Sequence, residues 1–286
     1  VEIRPPLKIK LKESILTAIQ HIFHAIEIEK GRLKKDEKLE YKGLIFNKLK
    51  PAALKNLESL KQKAYSISQL EKYAGCPFKY FVDQILYVNF VKELEEGITA
   101  LEKGTILHEV LFKFYIDRRS EGLPPLFDCG EIEFQQAVEN LIALTQEKLD
   151  TLPESDLFTF LEKELLLGTP TTRGIIHEFL DNERNRKLEV KPSYFEVPIG
   201  KRIGVRQNTD NILFSEEDVQ VGKVKIRGKV DRIDVSNNHF TVIDYKTGSN
   251  IPTIDDIRSG LSLQLPIYLY VIELLISKKL QMQLSP

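Results

Sequence analysis

The chain has 286 residues, 42% hydrophobic and 29% charged, with a formal net charge of −1, so it can bury a core in one or two domains. No stretch approaches the ~18–20 consecutive apolar residues of a membrane span, and no signal-peptide core is present; we expect a cytoplasmic protein without a membrane partner. Two cysteines, Cys76 and Cys129, exclude a disulfide framework and a self-contained four-cysteine metal site.

The first 63 residues form the basic part of the chain. They hold 15 Lys or Arg against 8 Asp or Glu, a net charge of +7, which leaves −8 for the remainder. Apolar residues at three- and four-residue steps predict a helix over 14–29, and 36–60 is predicted to add helix interrupted near Pro51. The lysines of this helical N-terminal region form either a solvated face or a surface that follows phosphates.

The next segment, from residue 64 onward, carries sharper start and stop signals. Ser68 followed by Glu71 matches a capping box, and the short helix that it begins should stop at Gly75. Pro77 suits the first position of a further helix, because the backbone N–H that proline lacks would have no partner within the helix there.

A strongly amphipathic helix is predicted after Gly104. Its apolar face consists of Leu107, Val110, Leu111 and Phe114. His108 lies at the border of this face. Further helices are predicted over Glu131–Leu149, Ser155–Leu167 and Thr171–Arg186.

The apolar period then changes from 3.6 to 2. Successive strands are predicted over Tyr194–Ile199, Val219–Val235 and Phe240–Tyr245. Asn237 and Asn238 supply turn chemistry between the last two. A final helix is predicted over about 262–278. Residues 64–286 are therefore interpreted as one mixed α/β domain, with helices over 64–190, strands over about 194–246 and the final helix.

Two acidic segments carry the candidate chemistry. Gly228-Lys-Val-Asp231-Arg-Ile-Asp is followed by Val242-Ile-Asp244-Tyr-Lys246-Thr-Gly. If a hairpin joins them, Asp231 and Asp244 come close together and repel unless a cation such as Mg²⁺ separates them. Lys246 projects from the same face as Asp244, which suits phosphodiester hydrolysis. Alternatively, the Asp-x-Lys pair is a surface ion pair, and the acidic residues of the first segment lie in a turn or at the edge of a sheet.

Three further side chains extend this hypothesis. His108 is either a hydrogen-bonded border residue or a metal ligand. Gln264 and Tyr268 share one side of the final helix, at i and i+4 spacing, and either contact a DNA strand or the metal's water or are ordinary helix-surface groups.

Five motifs in this order resemble those of the RecB-like branch of the PD-(D/E)XK nucleases. They are Ser66-x-Ser-x-Leu-Glu-x-Tyr-x-x-Cys-Pro-Phe-x-Tyr-Phe81, Gly104-x-x-x-His108, Gly228-x-x-Asp-Arg-Ile-Asp234, Asp244-Tyr-Lys-Thr-Gly248 and Gln264-x-x-x-Tyr268. The resemblance covers residues 64–278. It is strongest to the C-terminal nuclease domain of AddB-type helicase-nuclease subunits.

The resemblance implies a fold and a set of site residues. The fold is a restriction-endonuclease-like core, a central mixed β-sheet flanked by helices. His108, Asp231, Asp244 and the backbone carbonyl of Tyr245 would hold Mg²⁺ or Mn²⁺. Catalytic roles would belong to Asp231, Asp244, Lys246, Gln264 and Tyr268. Glu196, on the first predicted strand, is an additional candidate.

The sequence departs from the family at two positions. Val230 stands where the signature's proline would precede the first aspartate, and the chemistry is left in place. Family members with an iron-sulfur cluster use one cysteine at the position of Cys76 and three after the final motif. No cysteine follows Tyr268, so we expect no cluster in this chain.

The resemblance further implies a metal-dependent DNA exonuclease domain that works with a helicase module or subunit in double-strand-break repair. The alternatives are a catalytically silent nuclease-like domain that binds DNA or a partner, and a stand-alone Cas4-like or phage exonuclease. No phosphate loop for ATP is present. Because the chain begins with Val1 and its single methionine is Met282, we expect a domain of a larger protein.

Overall fold

The computed structural model describes residues 20–24, 26–27, 30, 50–88, 97–152, 157–187, 190–200, 209–214, 217, 219–248 and 251–280. The chain divides into two compact units, Val1–Gln62 and Lys63–Pro286. In the first unit, residues 20–24 and 26–27 are helical and α1 spans Pro51–Ser59, followed by a 3₁₀ turn over Leu60–Gln62. The remainder of the predicted 14–29 and 36–60 helices lies outside the described residues. No helix in the described ranges is long and apolar enough to cross a membrane.

The second unit combines helices and strands. Its helices are α2 (Ile67–Gly75), α3 (Pro77–Tyr80), α4 (Ala100–Ser120), α5 (Glu131–Leu149), α6 (Leu157–Leu167), α7 (Ile175–Arg184), α8 (Ile254–Arg258) and α9 (Gln264–Leu280), with a π-helical turn over Phe81–Ile85 and a 3₁₀ turn over Leu126–Asp128. Its strands are β1 (Tyr65–Ser66), β2 (Lys191–Ile199), β3 (Val219–Val221), β4 (Val224–Val235) and β5 (Phe240–Ile243).

Strand β4 is the centre of a mixed sheet. Its first part pairs with β1 in parallel and with β3 antiparallel, and its second part pairs antiparallel with β2 and β5. The expected central mixed sheet with flanking helices is therefore confirmed. The predicted turn is also present: the Ser236 N–H donates to the carbonyl of His239, 2.9 Å away, and closes the β4–β5 hairpin.

Two apolar cores lie against this sheet. The first core contains residues of α4, α5, α6 and α7 together with Phe195 of β2. The second core contains residues of α9 together with residues of β2, β4 and β5. Phe195 belongs to the first core, whereas Val197 and Ile199 belong to the second, although regular alternation would put all three on one face. Glu196 lies between them with φ at +49°, in the left-handed region, and interrupts the alternation.

Two helix starts differ from the prediction. The capping box of α2 is formed by Ser66 and Gln69, not by Ser68 and Glu71. Helix α4 begins four residues before Gly104, because Thr99 accepts a hydrogen bond from the Glu102 N–H and the Glu102 carboxylate accepts one from Thr99. This reciprocal cap outweighs the cost of a glycine inside the helix.

Other boundaries also differ from the prediction. The predicted strand Val219–Val235 is two strands, which turn at Gly222 with φ at +61°. Helix α7 begins at Ile175 rather than at Thr171, after a turn closed by the Gly168–Arg173 bridge. The short elements β1 and α8 were not predicted, whereas α5 has the predicted bounds.

Candidate metal and nuclease site

The candidate site lies where acidic side chains of β2, of β4 and of the segment after β5 are neighbours across the sheet. Strand β5 ends at Ile243 rather than at the predicted Tyr245, so Asp244 directly follows it. Phe195 pairs with Arg232 and Val197 with Val230, so Glu196 lies opposite Asp231. Arg232 pairs with Ile243 on the other side, and the same register extended by one residue puts Asp244 opposite Asp231. Asp231 is thus flanked by a carboxylate on each neighbouring chain segment.

Helix α4 brings His108 to the first two of these carboxylates. Its Nδ1 lies 3.1 Å from Glu196 Oε1 and 3.4 Å from Asp231 Oδ1. One ligand atom from each of His108, Glu196 and Asp231 lies within 4.8 Å of the others, a spacing that suits one metal ion. Burial by itself lowers the pKa of His108, but the two carboxylates outweigh this effect and raise it to about 10.

The Glu196 carboxylate is almost completely buried, with 2% of the residue exposed. Its Oε2 accepts no hydrogen bond from the described residues, although the Lys229 ammonium lies against it as an ion pair. The Lys229 ammonium therefore already compensates this buried oxygen. The fit to a metal rests on the donor set instead, because one imidazole and two acidic oxygens within 4.8 Å of one another suit a divalent metal ion.

Asp244 belongs to a second cluster beside the first. The Lys246 Nζ lies 2.6 Å from Asp244 Oδ2, and the Gln264 Nε2 donates to Asp244 Oδ1 over 2.5 Å. Lys246 also donates to Gln264 Oε1, 2.9 Å away. Burial raises the pKa of Asp244, Lys246 lowers it and Asp231 raises it again, with a net upward shift. Asp244 is therefore electrostatically linked to Asp231.

Tyr245 and Tyr268 each make a hydrogen bond that involves a backbone group. The backbone N–H of Tyr245 donates to Asp231 Oδ2 over 2.8 Å and so fixes that carboxylate. The predicted role of its carbonyl as a metal ligand stays a prediction. The Tyr268 hydroxyl donates to the backbone carbonyl of Lys229, 2.8 Å away, and its ring packs beside Gly228. A direct catalytic role for Tyr268 also stays a prediction.

The structure thus brings His108, Asp231, Asp244, Lys246 and Gln264 into one region of the second unit. Glu196, which the sequence supported only as an additional candidate, has the closest contact with His108. Its only sequence signal is its location on a strand that pairs with the strand of Asp231. Lys229 was not predicted, because its contact with Glu196 joins two strands that are distant in sequence.

A buried ion-pair network lies behind the site. Arg232 is fully buried and pairs with Asp234 through two hydrogen bonds of 2.6 and 2.8 Å. It also donates to Glu183 Oε2 and to the Tyr115 hydroxyl, each over 2.7 Å. The Asp-Arg-Ile-Asp segment is therefore part of a central strand, and the alternative of a turn or edge decoration is wrong.

Comparisons with known proteins identify the class. A family model described as PD-(D/E)XK nuclease superfamily matches residues 64–283, so the chain belongs to this superfamily. The chain is 28% identical over 269 residues to the AddB subunit of the ATP-dependent helicase/deoxyribonuclease of Caldanaerobacter subterraneus subsp. tengcongensis, covering 85% of this chain and 21% of that protein. It is 29% identical over 238 residues to the protein of the same name from Carboxydothermus hydrogenoformans, covering 75% of this chain and 19% of that protein.

These comparisons confirm the resemblance that the five motifs predicted. The chain spans about a fifth of the length of the curated relatives that it matches. The matched segment begins at residue 64, and the candidate site residues all lie within it.

Proposed function

We propose that residues 64–286 are a divalent-metal-dependent DNA nuclease domain that hydrolyses phosphodiester bonds. The observation that carries this proposal is the proximity of Asp231 and Asp244, which the β4–β5 register puts opposite each other when it is extended by one residue. Lys246 lies against Asp244 and His108 against Asp231. Carboxylates and an imidazole are suitable ligands for a divalent metal ion, and a lysine beside them can bind a phosphate. A surface ion pair would need neither the buried Glu196 nor His108.

His108, Glu196 and Asp231 would hold the metal, and the carboxylate of Asp244 would lie beside it. Bound Mg²⁺ or Mn²⁺ supplies Lewis acidity toward the phosphoryl oxygen and lowers the pKa of a coordinated water. The protein's contribution is to keep three carboxylates close together and to exclude bulk water from Glu196 and Asp231, which are 2% and 6% exposed.

Lys246 provides the positive group beside the acidic residues. Its side chain is 41% exposed, so its ammonium can reach a phosphate from solvent while it stays 2.6 Å from Asp244. There it would orient the attacking water or offset the charge that builds on the phosphate in the transition state. Gln264 holds both partners, because its amide donates to Asp244 and accepts from Lys246.

We further propose that the substrate is DNA, that cleavage is exonucleolytic, and that the domain acts with a helicase module or subunit in double-strand-break repair. The relatives are named as subunits of an ATP-dependent helicase/deoxyribonuclease, which supports both the substrate and the partner. The basic N-terminal segment, with its net charge of +7, would add a surface for the phosphate backbone.

The test is Mn²⁺-dependent degradation of end-labelled DNA by the purified chain and by Asp244→Asn and Lys246→Ala. Both variants should lose cleavage by at least ~10²-fold while circular dichroism shows an unchanged fold. Asp255→Asn and Lys113→Ala are matched controls and should cleave normally, because these exposed side chains pair with Arg258 and Glu147 rather than with a site residue. DNA binding without cleavage by the unmodified chain would indicate a silent binding domain, and undiminished activity in both site variants would reject the proposed site.

A further inference from the structure

We infer that Glu71 is a positioning residue of the candidate site, acting through the first turn of α9. The inference rests on the proposed nuclease function. Its basis is a contact between two distant parts of the chain: Glu71 Oε1 accepts hydrogen bonds from the backbone N–H groups of Leu263, over 2.7 Å, and Gln264, over 3.0 Å. Glu71 belongs to the Ser-x-Leu-Glu-x-Tyr motif, and the proposed chemistry does not otherwise use that motif.

The contact supplies a cap that α9 cannot make for itself. The first N–H groups of a helix have no partner within it, and a side-chain oxygen of the preceding residue usually accepts from one of them. The residue before α9 is Leu263, whose side chain has no oxygen. The Glu71 carboxylate takes this role from α2, and its negative charge is favourable at the positive end of a 17-residue helix.

Glu71 is itself held in place by the sheet. Ser66 lies in β1 and pairs there with Arg227 of β4. The same serine caps α2 through its reciprocal hydrogen bonds with Gln69. Helix α2 therefore starts at a fixed point beside β4, the strand that also carries Asp231. The carboxylate of Glu71 transmits this fixed position to the first residue of α9.

That first residue is Gln264, which hydrogen-bonds to both members of the proposed catalytic pair, Asp244 and Lys246. Its N–H is bound by Glu71, and its side-chain amide donates to Asp244 over 2.5 Å and accepts from Lys246 over 2.9 Å. Loss of the cap would release the first turn of α9 and the amide with it. Lys246 and Asp244 would then lose their alignment. Because the Glu71 carboxylate is engaged with the backbone of Leu263 and Gln264, the loss should lower kcat with KM unchanged.

The experiment compares Glu71→Ala with Glu71→Gln in Mn²⁺-dependent cleavage of a labelled single-stranded oligonucleotide. Both N–H groups bind the same oxygen, which glutamine retains, so Glu71→Gln should keep near-normal kcat. Glu71→Ala should lower kcat roughly 10- to 100-fold at constant KM. Glu133→Ala is the matched control, because Glu133 accepts from the Gly130 N–H at the start of α5, and its kcat should be unchanged.

A double-mutant cycle tests the route of the effect. In a Gln264→Ala background, Glu71→Ala should lower kcat no further, because the group through which it acts is gone. Fully additive losses, or failure of Glu71→Gln to preserve kcat, would overturn the inference. If Glu71→Ala does not fold, Glu71→Asp, whose carboxylate is one methylene short of α9, replaces it in the same comparison with the same expected loss.

Hydrogen exchange separates this inference from the proposed function. Amide exchange at Leu263 and Gln264 should be faster in Glu71→Ala than in the unmodified chain and near-normal in Glu71→Gln. If the unmodified chain does not cleave DNA, the proposed function fails, while faster exchange still supports the cap. Unchanged exchange in Glu71→Ala contradicts the cap whatever the activity.

Discussion

At the scale of single residues, the site depends on the unusual backbone of Glu196. A non-glycine residue with φ at +49° is uncommon, and such conformations persist where surrounding structure enforces them. Here the left-handed conformation separates Phe195, in one core, from Val197, in the other, and directs the intervening carboxylate to His108. The left-handed residue thus puts a candidate ligand atom beside His108, where regular alternation would not have put it.

Glu196→Gln tests this assignment. The amide keeps the size of the side chain but removes the negative charge, so Mn²⁺ affinity measured by titration calorimetry should fall at least ~10-fold. Glu109→Gln is the control, because Glu109 is on the same helix as His108 but pairs with Lys148 at the surface. Equal Mn²⁺ affinity in Glu196→Gln and the unmodified chain would remove Glu196 from the ligand set.

At the scale of elements, β4 joins the site to the interior of the domain. Asp231 faces the candidate metal site, whereas Arg232 and Asp234 bind each other in a buried network with Glu183 of α7. One strand therefore provides both the candidate ligand Asp231 and the ion pairs that connect the strand to α7. Charged groups this deep are tolerated only when they are paired.

Arg232→Met measures the importance of this network. Removal of the guanidinium leaves Glu183 and Asp234 with incomplete charge compensation, although Arg186 remains 2.6 Å from Asp234. The free energy of unfolding in urea should fall by ~3–5 kcal/mol. Arg258→Met, at an exposed pair with Asp255, should change it by less than ~1 kcal/mol. A loss below ~1 kcal/mol for Arg232→Met would show that the network contributes little.

The elements also show which parts of the site the sequence determines locally. The β4–β5 hairpin was predicted because alternation and the two asparagines fix its turn and register, and these place Asp244 opposite Asp231. The cap of α2 was assigned wrongly because Ser66 and Ser68 each have an acceptor three residues later. The contacts of Glu196 and Glu71 could not be predicted, since each depends on segments that are distant in sequence.

At the scale of the whole molecule, one site is built from separate stretches of the second unit. His108 comes from α4, Glu196 from β2, Asp231 and Asp244 from the hairpin, and Gln264 from α9. These stretches are held together by two cores on the sheet, so the site should form only when the whole unit has folded. Whether the lysines of the basic N-terminal region form a solvated face or a surface that follows phosphates stays a pair of alternatives from the sequence.

The central claim is that these stretches converge on one metal ion. Its most direct test is anomalous diffraction at the manganese edge from a crystal soaked in Mn²⁺. We expect a peak within ~2.0–2.6 Å of ligand atoms of His108, Glu196 and Asp231, with Asp244 adjacent. A peak elsewhere on the protein, or no peak at a saturating Mn²⁺ concentration, would contradict the claim.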